Sequence, residues 1–239
     1  MKNNRIFESC ILGLCLLAGL ALVGYLLSNG LLQFKSLDRT VAVKGLSERE
    51  VAADVAIWPI RYSEADNDLN RLFSTIQRKN ELIVRFLKEK GFKDEELSLS
   101  APAIFDRQGQ GYAETNRREF RYSGTSAITV YTTNVSAVRS AMAQLVELGK
   151  MGIAFSGQDY ESKMEYLFTK LNDVKPGMIE EATKNAREVA ERFAMDSKSK
   201  LGKIKRASQG QFSIADRDSN TPHIKRIRVV STIEYYLSD

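Results

Sequence analysis

The chain has a single histidine, His223, directly after Pro222 in a polar stretch. A Ser-His-Asp system would have to use that imidazole, and no G-x-S-x-G elbow offers it a serine. His223 is therefore expected to be a solvated loop residue, with catalysis as the competing reading. Just upstream, Asp216, Asp218 and Asn220 copy the first three ligand positions of a calcium-binding EF-hand loop. Such a loop also needs a turn glycine and a closing glutamate to reach roughly six to eight oxygens. Thr221 and Ile227 stand in those places, so a polar turn between strands is expected. Gly109 and Gly111 form G-x-G, but no helix is expected to begin there, so the phosphate-binding form of that motif is incomplete. Both cysteines, Cys10 and Cys15, lie in an apolar stretch near the N-terminus. The rest of the chain then has no disulfide framework, no thiol chemistry and no thiolate ligands for zinc. These residue types name no reaction. The expectation is a protein that is not an enzyme, with no cofactor, no metal and no catalytic residue.

Charge suggests contact rather than chemistry. Lys198, Lys200, Lys203, Lys205 and Arg206 cluster in sequence, and Lys225, Arg226 and Arg228 are candidate neighbours. Three readings apply: a solvated face, whose strand lysines also discourage edge-to-edge pairing, contact with an anionic envelope surface, and nucleic-acid binding. Glu188, Glu191 and Asp196 dilute the cluster, and the net charge of +5 is a mild excess. Nucleic-acid binding, which favours a strongly basic face, is not expected.

The elements that would carry these residues can be read from periodicity. Val41 and Val43 alternate, Gly45–Glu48 reads as a turn, and Val51–Tyr62 reads as a strand that Pro59 confines to an edge or a bulge. Ser63–Lys90 reads as a helix capped at Ser63, with Leu69, Leu72, Phe73, Ile76, Ile83 and Leu87 as its apolar stripe and Gly91 beyond its end. Leu97–Ile104, bent by Pro102, and Phe120–Thr132, bulged at Gly124, read as a hairpin around the polar loop Phe105–Asn116. Asn134 can cap a second helix ending near Gly149, with Val135, Val138, Met142 and Leu145 inward. Ile153–Phe155 and Lys163–Thr169 are short strand candidates. A third helix starts near Asn172 with Pro176 in its first turn and a stripe of Ile179, Ala182, Ala186, Val189 and Phe193. Lys203–Phe212 and Ile224–Leu237 close the chain as strands. Antiparallel strand pairs alternating with three helices, in ββα-type units, make the fold class α+β.

The stretch Ser9–Phe34 carries no charged residue. About 20 apolar residues suffice for a helix to cross a bilayer, so residues 1–34 are expected to be an uncleaved signal-anchor with one transmembrane helix. A cleaved signal peptide is the alternative, but this run is long and no small-x-small site comes after it. Lys2 and Arg5 on one flank nearly balance Lys35, Arg39 and Lys44 on the other. The short N-terminal flank favours export of the chain beyond the span. Residues 35–239 are then an extracytoplasmic body of about 200 residues, enough for one large domain or two small ones.

The body resembles the bacterial SIMPL-domain family, extracytoplasmic proteins described as a domain of unknown function. The resemblance covers about Thr40 to Leu237. It is carried by VAVKGLSEREVAADVAIWPI, by FLKEKGF at the end of the first helix, by Ile153-Ala154-Phe155-Ser156, and by EATKNAREVAERFAMDSKSKLGKIKRA. Ala53-Asp54 stands where the family commonly has Pro-Asp. The resemblance implies a periplasmic, cell-envelope location, self-association and a link to stress tolerance, with no enzymatic residues to carry over. The reading is an inner-membrane, single-pass protein with an assembly or interaction role. The alternative is an extracytoplasmic ligand-binding or enzymatic domain using loops 105–116 and 209–222. A basic nucleic-acid binder facing the cytoplasm stands third.

Overall fold

The computed structural model describes residues 13–14, 16–28, 39–108, 120–155 and 163–238. The fold is α+β, and its described residues fall into two compact units. The first draws on Met1–Glu48, Lys175–Ser213 and Arg228–Asp239, the second on Arg49–Val174 and Ile214–Ile227. Of the uncharged run, residues 13–14 and 16–28 are described, and they are helical. Among the described residues no helix is long and apolar enough to cross a membrane; the remainder of the expected span lies outside them.

In the first unit, strands β1 (Thr40–Ala52) and β7 (Lys200–Gln209) flank β9 (Ile224–Ser238). On β9, Ile227, Val229, Ile233 and Tyr235 are buried while Arg226 and Arg228 are exposed, the period-two alternation expected of a strand covered on one face. The unit's core joins Val43, Ile233 and Tyr235 to Ala186 and Ala190 of helix α4 (Leu171–Asp196). The expected turn at Gly45–Glu48 does not form, and β1 runs straight through it. Gly45 is there for close approach. A Cβ at this position would lie 1.8 Å from the Ala182 carbonyl oxygen and 2.5 Å from the Ala186 nitrogen. The same closeness corrects the helix stripe. Met178, Ala182, Ala186, Ala190 and Ala194 are buried, whereas Val189 and Phe193 are exposed. At Ala182 and Ala186, where backbone meets backbone, only a side chain of alanine size fits.

In the second unit the sheet order is β3 (Leu97–Leu99), β5 (Tyr122–Thr132), β2 (Val55–Asp66), β6 (Glu165–Leu167), with β4 (Ala103–Asp106) also on β5. β2 and β5 pair antiparallel without interruption from Ala56↔Thr132 to Asp66↔Tyr122. Gly124 therefore makes no bulge against β2. It is small because a Cβ there would come within 2.7 Å of the Ile104 and Ile76 side chains. Among the described residues β6 pairs with β2 over Val55–Ile57 and Phe155 bridges Tyr62, and Pro59 falls between these two contacts with no ladder partner on that side. The expected hairpin around the polar loop forms, with β4 antiparallel to β5. Pro102 does more than bend the expected Leu97–Ile104 strand: residues 100–102 separate β3 from β4.

Helix α1 (Leu69–Glu89) starts later than Ser63 because β2 continues to Asp66. Its cap is Asp68, which accepts from the Arg71 N–H at 3.0 Å, and Gly91 with φ 92° lies just past its C-cap, Lys90. Asn134 caps α2 (Val135–Ala143), accepting from the Ala137 N–H at 3.0 Å. The expected second helix is broken at Gln144, so α3 (Leu145–Lys150) is a separate piece and Met142 is exposed. The core under α1 and α2 holds Trp58, Ile60, Ile83, Phe86, Leu87, Ile128, Val130 and Val138. β8 (Ser213–Asp216) pairs with β9.

Candidate functional site

The α1 stripe decides where the second unit exposes apolar surface. Leu72, Ile76, Ile83 and Leu87 are buried, but Phe73 is 46 % exposed and Leu69 38 %. The stripe predicted from sequence is thus wider than the sheet beneath it. Its uncovered edge faces the break at Ser100–Pro102, and the two define a groove of about 680 Å³. Phe73, Ile76, Val84, Leu99 and Pro102 make the groove apolar, while Gln77, Asn80, Glu81, Arg85 and Lys88 give it polar groups of both charge signs. Leu99 is 56 % exposed, at the outer edge of the sheet. Sequence reasoning missed Leu99, Asn80 and Glu81. The available signals were the position of Phe73 at the flank of the stripe and the chain-breaking Pro102.

The groove wall is rigid where Asn80 enters it. The Tyr62 hydroxyl lies 2.9 Å from the Ile76 carbonyl and 2.8 Å from Asn80 Oδ1, which also accepts from the Ser126 hydroxyl at 3.0 Å. All three side chains are buried. Burial pushes the Tyr62 phenol up to about 12; Ser126 opposes this and the Glu64 charge adds to it. A network satisfied in this way fixes rotamers, because a buried polar group left without a partner costs about 1–3 kcal/mol. Immediately before Asn80 on α1, Lys79 pairs with Glu64 and donates to the Gly152 carbonyl at 2.6 Å.

The residues singled out for chemistry are occupied structurally. His223 accepts the Ala53 N–H on its backbone carbonyl at 2.8 Å, and its ring meets Tyr166 edge-on, with centroids 5.9 Å apart. It is half-buried rather than freely solvated. Burial lowers its pKa; Arg139 and Arg217 lower it further and Asp218 opposes them, so the imidazole is neutral near pH 7. Asp218 accepts from the Asn220 and Thr221 N–H groups at 2.8 and 2.7 Å, from the Thr221 hydroxyl, and from Arg217 at 3.1 Å. The Thr221 hydroxyl and Arg217 lead the bonds that hold its carboxyl down at about 2. Asp216 is paired with Lys225. The Asp216-Asp218-Asn220 run is thus an internally bonded turn. Of the alternative binding loops, 109–116 lies outside the described residues.

Two further carboxylates act as fasteners. Asp54, at the corner between β1 and β2, accepts the Thr169 N–H and hydroxyl, both at 2.8 Å. Burial pushes its carboxyl up, but the Thr169 bonds, the Asp54 N–H and the Lys170 charge together hold it below the usual carboxylate value. Asp106 grips Arg121 through two bonds of 3.3 and 3.0 Å at the base of the β4–β5 connection.

The basic cluster divides. Lys198, Lys200, Lys203, Lys205 and Arg206 are all exposed, on or just before edge strand β7. Lys205 bridges to Glu234 at 3.6 Å and lies over the Tyr236 ring, and Arg206 pairs in register with Glu234. Lys225, a candidate member, is instead buried and tied to Asp216. The ladder shifts register between Leu201 and Ile204 and again between Ile204 and Arg206, which places Lys203 and Lys205 at irregular positions of the edge.

A comparison with curated proteins finds no match. The profile of the SIMPL family, described as a protein of unknown function (DUF541), matches residues 41–229, from β1 well into β9. That span takes in the Asp54 clasp, the α1 groove, the alanine seam of α4 and the basic strand. The chain therefore belongs to the SIMPL (DUF541) family.

Proposed function

We propose that this chain is a single-pass, membrane-anchored protein of the cell envelope, with its body outside the cytoplasmic membrane, and that it assembles with further copies of itself through the α1 groove. The observation that carries this reading is the half-exposed pair Phe73 and Leu99 in a groove of about 680 Å³. A small-molecule site would enclose most of its ligand in a largely apolar cavity with a few polar groups converging on it. This groove instead offers an apolar strip rimmed by Glu81 on one side of the charge balance and Arg85 and Lys88 on the other. A rim with both signs suits an isologous contact, in which each copy presents the same patch and opposite charges can meet across a two-fold axis. The uncharged stretch Ser9–Phe34 supports the anchor.

Light scattering of the full-length protein in detergent tests the assembly. The wild type is expected as an oligomer, and Phe73→Asp with Leu99→Asp is expected to shift it to monomer with unchanged circular dichroism. A monomeric wild type, or a double variant that assembles as before, would refute the contact. A reporter active only outside the cytoplasm, fused after Asp239, tests the orientation. An inactive fusion beside an active cytoplasmic reporter would reverse it.

A further inference from the structure

The first unit brings the basic residues to one end of its sheet. The Leu237 N–H donates to the Arg39 carbonyl at 2.8 Å, and the register pairs Leu201 with Leu237 and Lys200 with Ser238. Arg39 also donates to the Ser199 hydroxyl at 3.2 Å. The starts of β1 and β7 and the finish of β9 therefore meet at a single end. Helix α4 finishes there too, since Ala194 accepts the Ser199 N–H at 2.8 Å and Lys198 makes the turn with φ 54°. This end carries Arg39, Lys198, Lys200 and Lys203, all exposed. Beside them stand two exposed apolar side chains of the last helical turns, Phe193 at 54 % and Met195 at 69 %. Asp196 is the acidic residue of the same helix end, with Asp38 and Asp239 adjacent in sequence.

The same end is tethered to the uncharged stretch. Only residues 35–38 separate Phe34 from Arg39, so Arg39 lies within roughly 18 Å of Phe34 by any path the chain takes. We infer that this end, through Arg39, Lys198, Lys200 and Lys203, docks on anionic phospholipid headgroups, with Phe193 and Met195 entering the interface. The inference rests on the membrane-anchor reading proposed above. Each lysine or arginine near an anionic leaflet adds a small attraction confined to about one Debye length. A tether of four residues makes docking intramolecular, so a few such charges suffice.

The test uses the full-length protein reconstituted in vesicles of phosphatidylcholine alone or with one part in three phosphatidylglycerol. Lysines are labelled with an amine-reactive ester and read by mass spectrometry at low and high salt. Labelling of Lys198, Lys200 and Lys203 is expected to fall at least threefold with the anionic lipid and to recover in high salt, while the exposed Lys184, about three turns back along α4 from that end, stays unchanged. Replacing Lys198 and Lys203 with glutamine is expected to restore Lys200 labelling at low salt, because each lost charge weakens docking about fivefold. Labelling of Lys198, Lys200 and Lys203 that ignores lipid charge overturns the inference and leaves the anchor standing. A protein that fails to float with neutral vesicles after carbonate washing overturns the anchor reading, and the docking with it.

Discussion

Replacing Gly45 with alanine tests the seam on which the first unit depends. The new Cβ would lie 1.8 Å from the Ala182 carbonyl oxygen and 2.5 Å from the Ala186 nitrogen. Non-bonded heavy atoms settle near about 3.5 Å, so β1 and α4 would have to part by roughly 1.5 Å. A gap of only about 0.5–1 Å already forfeits a quarter to a half of the dispersion well, and Ala182, Ala186 and Ala190 face that gap together. Overpacking typically costs about 1–3 kcal/mol when side chains can turn aside. Here both obstructing atoms are backbone, so the expected loss is at least about 3 kcal/mol, a large share of the roughly 5–15 kcal/mol that holds a domain. Gly124→Ala is the control. Its Cβ would meet only the flexible ends of Ile104 and Ile76, at 2.7 Å, and about 1–2 kcal/mol is expected. Urea unfolding of the full-length protein in detergent gives the size of each loss, and hydrogen exchange locates it. In Gly45→Ala, protection should fall across residues 182–194 of α4 and 41–47 of β1. Unchanged exchange there, or a Gly124→Ala variant that is the less stable of the two, would refute the close-packing argument.

Two further outcomes are expected from side-chain positions. At protein concentrations where the chain is monomeric, Phe73→Ala should cost no more than about 1 kcal/mol because Phe73 is half-exposed, whereas Ile76→Ala, one helical step on and buried, should cost about 2–5 kcal/mol; equal urea midpoints there would mean that Phe73 packs inside the monomer. Thr169 holds the folded Asp54 carboxyl below its reference of 3.8, so the clasp stabilises the fold above that pH and is lost as pH falls through the lower folded value. Glu96, bonded to the Lys93 N–H and the Thr132 hydroxyl, shifts in the same direction. Stability measured against pH should therefore fall gently below about pH 6.5, where unfolding lets His223 take up a proton, and further below about pH 4, where the second fall is shallower in Asp54→Asn. Matching acid slopes for the two proteins would show that the clasp does not contribute.

Periodicity located most elements, because burial on one face leaves its mark on local sequence. Leu72, Ile76, Ile83 and Leu87 of the α1 stripe, the alternation along β9 and the Asn134 cap all read correctly for that reason, whereas Leu69 and Phe73 of the same stripe are exposed. The errors share a different cause. Gly45 reads locally as a turn, and only the carbonyl of Ala182, far along the chain, makes it a packing glycine within a strand. Val189 and Phe193 read as core by hydrophobicity, yet the seam accepts only side chains of alanine size at closest approach, so the buried set moves to Ala190 and Ala194. Gly124 reads as a bulge, while its partner atoms come from Ile76 and Ile104 on two other elements. The groove was illegible in the same way. Its walls, Phe73 and Leu99, are joined only by the tertiary fold, and only the Pro102 break hinted that one wall would be interrupted.

The shifted groups add a physical argument about the kind of surface this protein uses. A carboxyl that moves protons works best with a pKa near the ambient pH, usually raised by burial or a like charge. Asp54, Glu96 and Asp218 shift the other way, each because N–H and O–H donors have taken its lone pairs. Those donors belong to nearby turns and strand ends, so the cost of displacing one would fall on the fold itself. The bonds that shift these groups also fasten the turns and strand ends they belong to. The α1 groove leaves the apolar side chains of Phe73 and Leu99 half-exposed, and the start of β7 leaves cationic side chains exposed. One is suited to another protein surface and the other to an anionic one. Both forms of recognition require only that the side chains be held in place, and the Tyr62–Asn80–Ser126 network holds the groove wall in that way.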